Sequence, residues 1–204
     1  MMGNPNNRDS HNIMHMIPFA SIGAEIGVWM GSSSSQFLSR GLKKFYMVDP
    51  WAVEGYQPAI DANDETFNYQ KYLNKYSKLV GSNNPDDFQK YYDKIYHQVW
   101  EKFRSYPEAI ICRQNSTDWF KSYDDEKLDW IYIDGDHSYT GVINDLNNCL
   151  KVMKLGGVIY GDDYKWGDNR GDKGGVKKAV NEFVAAKNLE LNRHGNNQFS
   201  IQLA

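Results

Sequence analysis

Five short stretches of this chain are apolar nearly throughout, with no alternation of polar and apolar positions: AEIGV (24–28), KFYMVD (44–49), AIICR (109–113), DWIYID (129–134) and GVIYGDD (157–163). Strands that are apolar on both faces have no side to turn to water, so they belong inside a parallel sheet covered by helices on each face. The segments between them agree. Val142, Leu146, Leu150 and Met153 recur at helical spacing and predict a helix over 140–153, which Gly156 and Gly157 stop before the fifth strand. Val176, Val180, Phe183 and Val184 predict a further amphipathic helix, followed by two short strands in LEL and QFSIQ. Strand and helix alternate along the chain, so the expected fold is α/β, a doubly wound sheet of seven strands forming a single domain over 1–204.

Residues 52–106 interrupt this rhythm, being far longer than an ordinary crossover. Phe88, Tyr92, Ile95, Val99 and Phe103 keep helical spacing, and NNPDD before them offers Asn84 as a cap, Pro85 in the first turn and acids at the positive helix end. A helical insertion after the second strand follows. It carries eight of the fourteen tyrosines (56, 69, 72, 76, 91, 92, 96 and 106), more than one helical stripe can bury. The expectation is a lid packed on the sheet, with some rings free to form a wall of a substrate site.

Net charge is −3 and the lysines are scattered, which argues against a nucleic-acid surface. No run approaches a membrane span, and the leader MMGNPNNRDSHNIMHM lacks the order of a signal peptide, so no membrane association and a cytoplasmic location are expected. Cys112 and Cys149 each sit within an apolar run and are read as small buried hydrophobes.

In open α/β sheets ligands bind beyond the carboxyl ends of the strands, where the strand order reverses. Glu25, Asp49, Asp134 and the pair Asp162 and Asp163 all fall at or near strand ends, so four strands deliver carboxylates to one rim. A lone aspartate there often only starts a turn or caps a helix. Four strands doing the same points to a site. The loop GAEIGVWMGSSS has glycines at 27 and 31 that allow backbone amides to approach a ligand, but it is not G-x-G-x-x-G. The preceding acid, Glu25, argues against a pyrophosphate and for a cofactor carrying positive charge, while Asp49 suits ribose hydroxyls.

GAEIGVWMGSSS, MVDPW, WIYIDGDHSY and MKLGGVIYGDDY together resemble the class I S-adenosylmethionine-dependent methyltransferases, in the branch of macrocin-type sugar O-methyltransferases and cephalosporin hydroxylase-like proteins. The resemblance runs from about residue 20 to 202 and leaves the insertion poorly matched. It implies a Rossmann-like seven-stranded sheet, mostly parallel with the last strand antiparallel. It also implies that Glu25, Gly27, Gly31 and Ser32 line the methionine part of S-adenosyl-L-methionine, that Asp49 holds the ribose, and that Ser116 lies by the adenine. Asp134 would border both the cofactor and a divalent ion, whose further ligands would be the acidic pair Asp162 and Asp163.

The residue types agree with that implication, since three carboxylates without clustered cysteine or histidine are hard oxygen ligands suited to Mg²⁺, Mn²⁺ or Ca²⁺ rather than zinc. A neutral hydroxyl is a poor nucleophile, and a metal that holds it lowers its pKa and fixes it in line with the sulfonium methyl. His137, three residues after Asp134, is the candidate base and, with Asp134, makes up the catalytic pair; a capping or supporting histidine is the alternative. Asp136 could replace Asp134 as ligand, but is better read as capping the next helix. The expected activity is O-methylation of a hydroxyl on a sugar or other small polyol.

Three other readings stay in view. A nicotinamide-dependent oxidoreductase shares the sheet and the acid after the second strand, but the glycine pattern is broken. A two-metal phosphoesterase would want more histidines in motifs than His137 alone. A catalytically inactive S-adenosylmethionine-binding protein would keep the fold and lose the reaction. The loop KWGDNRGDKGG (165–175) is expected to be mobile and to close over the acceptor, with Lys165, Trp166 and Arg170 candidates for touching it. Whether the chain forms a homo-oligomer is left open.

Overall fold

The structure is a computed structural model that describes residues 11–165 and 174–204. Seven strands form one sheet: β1 (Ile22–Ile26), β2 (Lys44–Asp49), β3 (Ala109–Arg113), β4 (Leu128–Ile133), β5 (Met153–Gly161), β6 (Leu191–Arg193) and β7 (Phe199–Gln202). Their spatial order is β3-β2-β1-β4-β5-β7-β6. β1 pairs in parallel with both β2 and β4, β2 with β3 and β4 with β5, whereas β7 runs antiparallel to β5 and β6. The chain leaves β1 toward one edge and returns on the other side at β4. The strand order therefore reverses between β1 and β4, and a crevice opens beyond their carboxyl ends.

The helices are α1 (His11–Met14), α2 (Ser32–Leu38), α3 (Gln57–Asp61), α4 (Tyr69–Val80), α5 (Pro85–Phe103), α6 (Ser116–Ser122), α7 (Tyr139–Val152) and α8 (Gly175–Lys187). Alternate strand residues feed two cores. Ile131, Ile133 and Ile159 meet Val142, Leu146, Val180 and Phe183 of α7 and α8 on one face. Trp130, Tyr132 and Tyr160 meet Phe37 of α2 and the insertion on the other. This two-sided burial is why the strands read as continuous apolar runs.

The second and third strands fall where the sequence places them, while others shift. The first begins and ends two residues earlier than 24–28, because Gly27 turns to φ +93 and cannot continue an extended strand. The helix expected over 140–153 ends at Val152, and Met153 already pairs with Leu128 in the sheet. Gly156 and Gly157 therefore do not stop the helix. They lie in an irregularity of β5, where Leu128 and Trp130 on β4 face Met153 and Val158; the extra residues lose their partners on β4 while Gly156 N–H and Gly157 O bond Leu203 after β7, with Gly156 at φ +75. Strand LEL is likewise displaced, to Leu191–Arg193.

The insertion is helical as expected. Asn84 caps α5 by accepting the Asp86 N–H at 3.1 Å, Pro85 stands in the first turn, and Phe88, Tyr92, Ile95, Val99 and Phe103 are all buried. Tyr72, Tyr76 and Tyr92 are buried as well, with ring centroids 4.7 Å apart for Tyr72 and Tyr76 and 5.4 Å for Tyr76 and Tyr92. Tyr69 and Tyr106 remain exposed. Cys149 is buried as expected, whereas Cys112, on the edge strand β3, is only half-buried, and burial pushes its thiol up to about 11. Among the described residues no helix is long and apolar enough to cross a membrane.

Candidate active site

A cavity of about 710 Å³ opens at the reversal point and is floored by the ends of β1, β2 and β4. Three backbone bonds pin its floor: Gly27 N–H to Val48 O at 2.9 Å, Asp134 N–H to Ile26 O at 2.8 Å, and Asp162 N–H to Ile133 O at 3.1 Å. The strand ends are thereby held edge to edge, and the side chains that follow them converge.

Gly27 lies so close to the chain after β4 that a Cβ would sit 2.2 Å from the Asp134 carbonyl oxygen. No other residue fits there. Trp29 then takes a left-handed conformation, and its N–H donates to Asp49 at 2.9 Å while that of Trp51 donates to the other Asp49 oxygen at 2.7 Å. Burial raises the Asp49 carboxyl, against the pull of these amides. Asp49 is thus fixed in the cavity wall at the end of β2, where a ribose-binding acid was expected.

Glu25 is placed differently. It is fully buried behind the wall, where the hydroxyls of Ser33 and Ser34 both donate to its carboxyl. Burial pushes it up to about 8 despite those two bonds. Ser32 and Ser33 line the cavity, so Ser33 stands between Glu25 and any ligand. Gly31 faces away as well: it turns at φ +68 before α2, and a Cβ there would meet the Phe103 ring at 2.4 Å. Of the expected methionine-end residues, Gly27 and Ser32 reach the cavity directly and Glu25 and Gly31 shape its wall from behind.

At the other end, Ser116 opens α6 and donates to Asp145 at 2.5 Å. Both line the cavity, and burial pushes the Asp145 carboxyl up to about 7. Asp145 was not anticipated, because in the sequence it is one polar position on the amphipathic α7.

Asp134, His137 and Asp163 meet in the cavity, each offering a ligand atom with all three atoms within 4.8 Å of one another. His137 Nε2 lies 3.2 Å from Asp134 and Nδ1 lies 3.7 Å from Asp163. Burial alone would lower the imidazole pKa, but the flanking carboxylates outweigh it and the net shift is upward. Asp163 sits at φ +53, a conformation more often given to asparagine or glycine. Asp162, though in the same cavity, is not one of the three. Its carboxylate accepts the Tyr132 hydroxyl at 2.8 Å and the Asp163 N–H at 2.7 Å, and Gln198 donates to Tyr132 in turn at 3.3 Å. Tyr132 is invisible as a site residue in the sequence because it reads as one more apolar strand position.

Asp136 does not cap α7 itself. It accepts both the backbone N–H and the hydroxyl of Ser138, at 2.9 and 2.8 Å, and Ser138 is the cap, accepting from Gly141 N–H at 3.0 Å. Six carboxyl side chains line the cavity, from Asp49, Asp134, Asp136, Asp145, Asp162 and Asp163, against the bases Lys75 and His137. Such a wall suits a cationic organic ligand or a divalent ion and repels a pyrophosphate. Tyr56, Tyr76, Tyr91 and Tyr92 of the insertion close the remaining side. Of the loop expected to close over the acceptor, 166–173, with Trp166 and Arg170, lies outside the described residues, and Lys165 is exposed.

Comparison with known proteins identifies the domain and its fold. A family model described as a methyltransferase domain matches residues 24–164. An uncharacterised protein of Acanthamoeba polyphaga mimivirus is 28% identical over 165 residues, covering 79% of this chain, and the chain spans 58% of that relative's length. Among solved structures, the N-methyltransferase NodS from Bradyrhizobium japonicum WM9 superposes with a TM-score of 0.59 at 11% identity, over 100% of this chain and 99% of its own. The O-methyltransferase NovP superposes with a TM-score of 0.58 at 16% identity, over 94% of this chain and 74% of its own. At such identities the structural likeness establishes the fold.

Proposed function

The chain belongs to the methyltransferase-domain family of class I S-adenosylmethionine-dependent enzymes, and from that premise we propose that it transfers a methyl group from S-adenosyl-L-methionine to a hydroxyl oxygen, on a sugar or other small polyol, with a divalent ion bound beside the acceptor. The observation that carries this reading is the convergence of Asp134, His137 and Asp163 in a cavity that also holds Asp49. At about 710 Å³ the cavity lies within the ordinary range for small-molecule sites.

The acid-rich lining of the cavity favours a positively charged sulfonium cofactor, and Gly27 leaves room for a ligand against the backbone. Asp49, held by two amides, is set to receive ribose hydroxyls. The three-residue group fits a divalent ion in its donor types, with Asp134 and Asp163 the carboxylates that would hold it. Such an ion would lower the pKa of the acceptor hydroxyl. His137, braced between two carboxylates, would take the hydroxyl proton at a ring nitrogen. The aromatic insertion wall would pack against the apolar face of a sugar ring and keep water from the reacting centre.

The test is transfer of labelled methyl from S-adenosylmethionine to a panel of saccharides and simple phenols, with and without EDTA. Label on a saccharide hydroxyl that disappears with EDTA and returns with Mg²⁺ supports the reading in full. Label only on phenols would overturn the sugar assignment, and label insensitive to EDTA would overturn the metal.

A further inference from the structure

Two loops that are far apart in the chain are joined at the first turn of α7. The loop between α3 and α4 sends Asp64 and Thr66 onto the amides that directly follow the His137 segment. Tyr139 N–H donates to the Thr66 hydroxyl at 2.7 Å, and Thr140 N–H donates to Asp64 at 2.7 Å. Thr66 in turn donates its hydroxyl and its own N–H to the other Asp64 oxygen, at 2.7 and 2.8 Å. Gly141 N–H, the third free amide of the turn, goes to Ser138. Of the four amides that the start of α7 leaves open, those of Tyr139 and Thr140 are therefore satisfied by the insertion and those of Ser138 and Gly141 locally, by Asp136 and Ser138.

The arrangement is directional. With its hydrogen donated to Asp64, the Thr66 oxygen has only lone pairs left for Tyr139. Burial would raise the Asp64 carboxyl, but the bonds from Thr66 and Thr140 hold it below the usual range, so it is charged where the positive end of α7 favours a charge. Gly175, the first residue of α8, packs into the same junction: a Cβ there would lie 2.6 Å from the His137 carbonyl oxygen and 2.7 Å from the Thr66 hydroxyl. The insertion, the His137 segment and the start of α8 thus meet at one point.

We propose that Asp64 and Thr66 are positioning residues, a clasp by which seating of the insertion fixes the Asp134 to Ser138 segment and so brings His137 to its place between Asp134 and Asp163. The alternative arrangement, a local cap that needs nothing from the insertion, would use only Asp136 and Ser138. With the clasp, closing the aromatic wall and ordering the base become one event. The catalytic consequence rests on the proposed role of His137, whereas the clasp itself does not.

The experiment compares Thr66→Val, which keeps the shape and removes the acceptor, with Thr66→Ser, which keeps the hydroxyl. Amide hydrogen exchange is read by mass spectrometry on peptides covering 134–145, with S-adenosylhomocysteine affinity and melting temperature measured alongside. Thr66→Val is expected to speed exchange in that segment by about fivefold or more while leaving exchange in β1 and β2 unchanged, and Thr66→Ser restores protection. In the methyl-transfer assay Thr66→Val lowers kcat by about tenfold with an unchanged KM for S-adenosylmethionine, and Thr66→Ser recovers it. Exchange unchanged in Thr66→Val overturns the clasp. Loss of kcat, cofactor affinity and melting temperature together, with no rescue by serine, overturns the positioning role in favour of general support. Should the wild type methylate nothing in the panel, the function proposed above fails and the exchange measurement still decides the clasp.

Discussion

The Tyr132 hydroxyl donates to the Asp162 carboxylate at 2.8 Å, and this one bond separates the roles of two adjacent acids. Asp162 also accepts the Asp163 N–H, so it braces its neighbour, while Asp163 reaches His137. Asp163→Asn, which tolerates the φ of +53, should abolish Mn²⁺ binding read by electron paramagnetic resonance. Asp162→Asn should weaken it by no more than about tenfold. Equal loss in both variants would mean that Asp162 is itself a ligand.

His137 lies within reach of both carboxylates that would hold an ion, so its substitution separates two roles. As a base it is dispensable for binding: His137→Ala should keep Mn²⁺ affinity and lower kcat by about a hundredfold or more. Loss of Mn²⁺ binding in that variant would make His137 a ligand.

Glu25 carries a pH dependence with a definite sign. Its carboxyl is raised from 4.5 to about 8 in the folded chain, so the native state holds a proton that the unfolded state has released. The associated stability is complete below pH 4.5 and is lost as pH rises through about 8. Between pH 6 and 9 the wild type should lose on the order of 2 to 3 kcal/mol more than Glu25→Gln, which mimics the protonated group. Urea denaturation at the two pH values reads the difference. A gap between the two proteins that does not change with pH would mean that Glu25 is ionised when folded.

Gly27 and Gly81 both have positive φ, at +93 and +73, but only Gly27 is crowded, whereas nothing lies within 4 Å of a Cβ at Gly81. Gly81→Ala should cost about 1 to 2 kcal/mol, the strain of a left-handed alanine. Gly27→Ala should cost clearly more in thermal denaturation, since the Asp134 backbone must also move. Similar losses at both positions would show that the close approach of β1 to Asp134 does not constrain the loop.

The elements that set the fold were readable because each rests on local chemistry. KFYMVD and AIICR are strands at the predicted residues: the first is buried on both faces, and the second, at the sheet edge, is half-buried and keeps the same apolar run. Asn84, Pro85 and the stripe from Phe88 to Phe103 announce α5 through capping and period. Met153 was misread because its spacing fits a helix, while its pairing with Leu128 is non-local. In the site, the acids at strand ends were legible from the general geometry of such sheets. Their division of labour was not, because it depends on Tyr132 and on the orientation of Asp163 at positive φ. Glu25 likewise stands where its strand requires, but the serines that shield it come from the next helix. Asp64 and Thr66 could not be found at all, since nothing local in DANDETF tells that its partners are the amides of Tyr139 and Thr140.

Binding of S-adenosylmethionine in the acid-lined cavity is read from the melting temperature with S-adenosylhomocysteine and, separately, with NADH. A ligand at about a hundred times its dissociation constant adds roughly 2.7 kcal/mol, and each kcal/mol moves the midpoint of a domain this size by roughly 2 to 4 °C. A rise on the order of 5 to 10 °C is expected with S-adenosylhomocysteine and none with NADH. No rise with S-adenosylhomocysteine, or a rise with NADH instead, would contradict it.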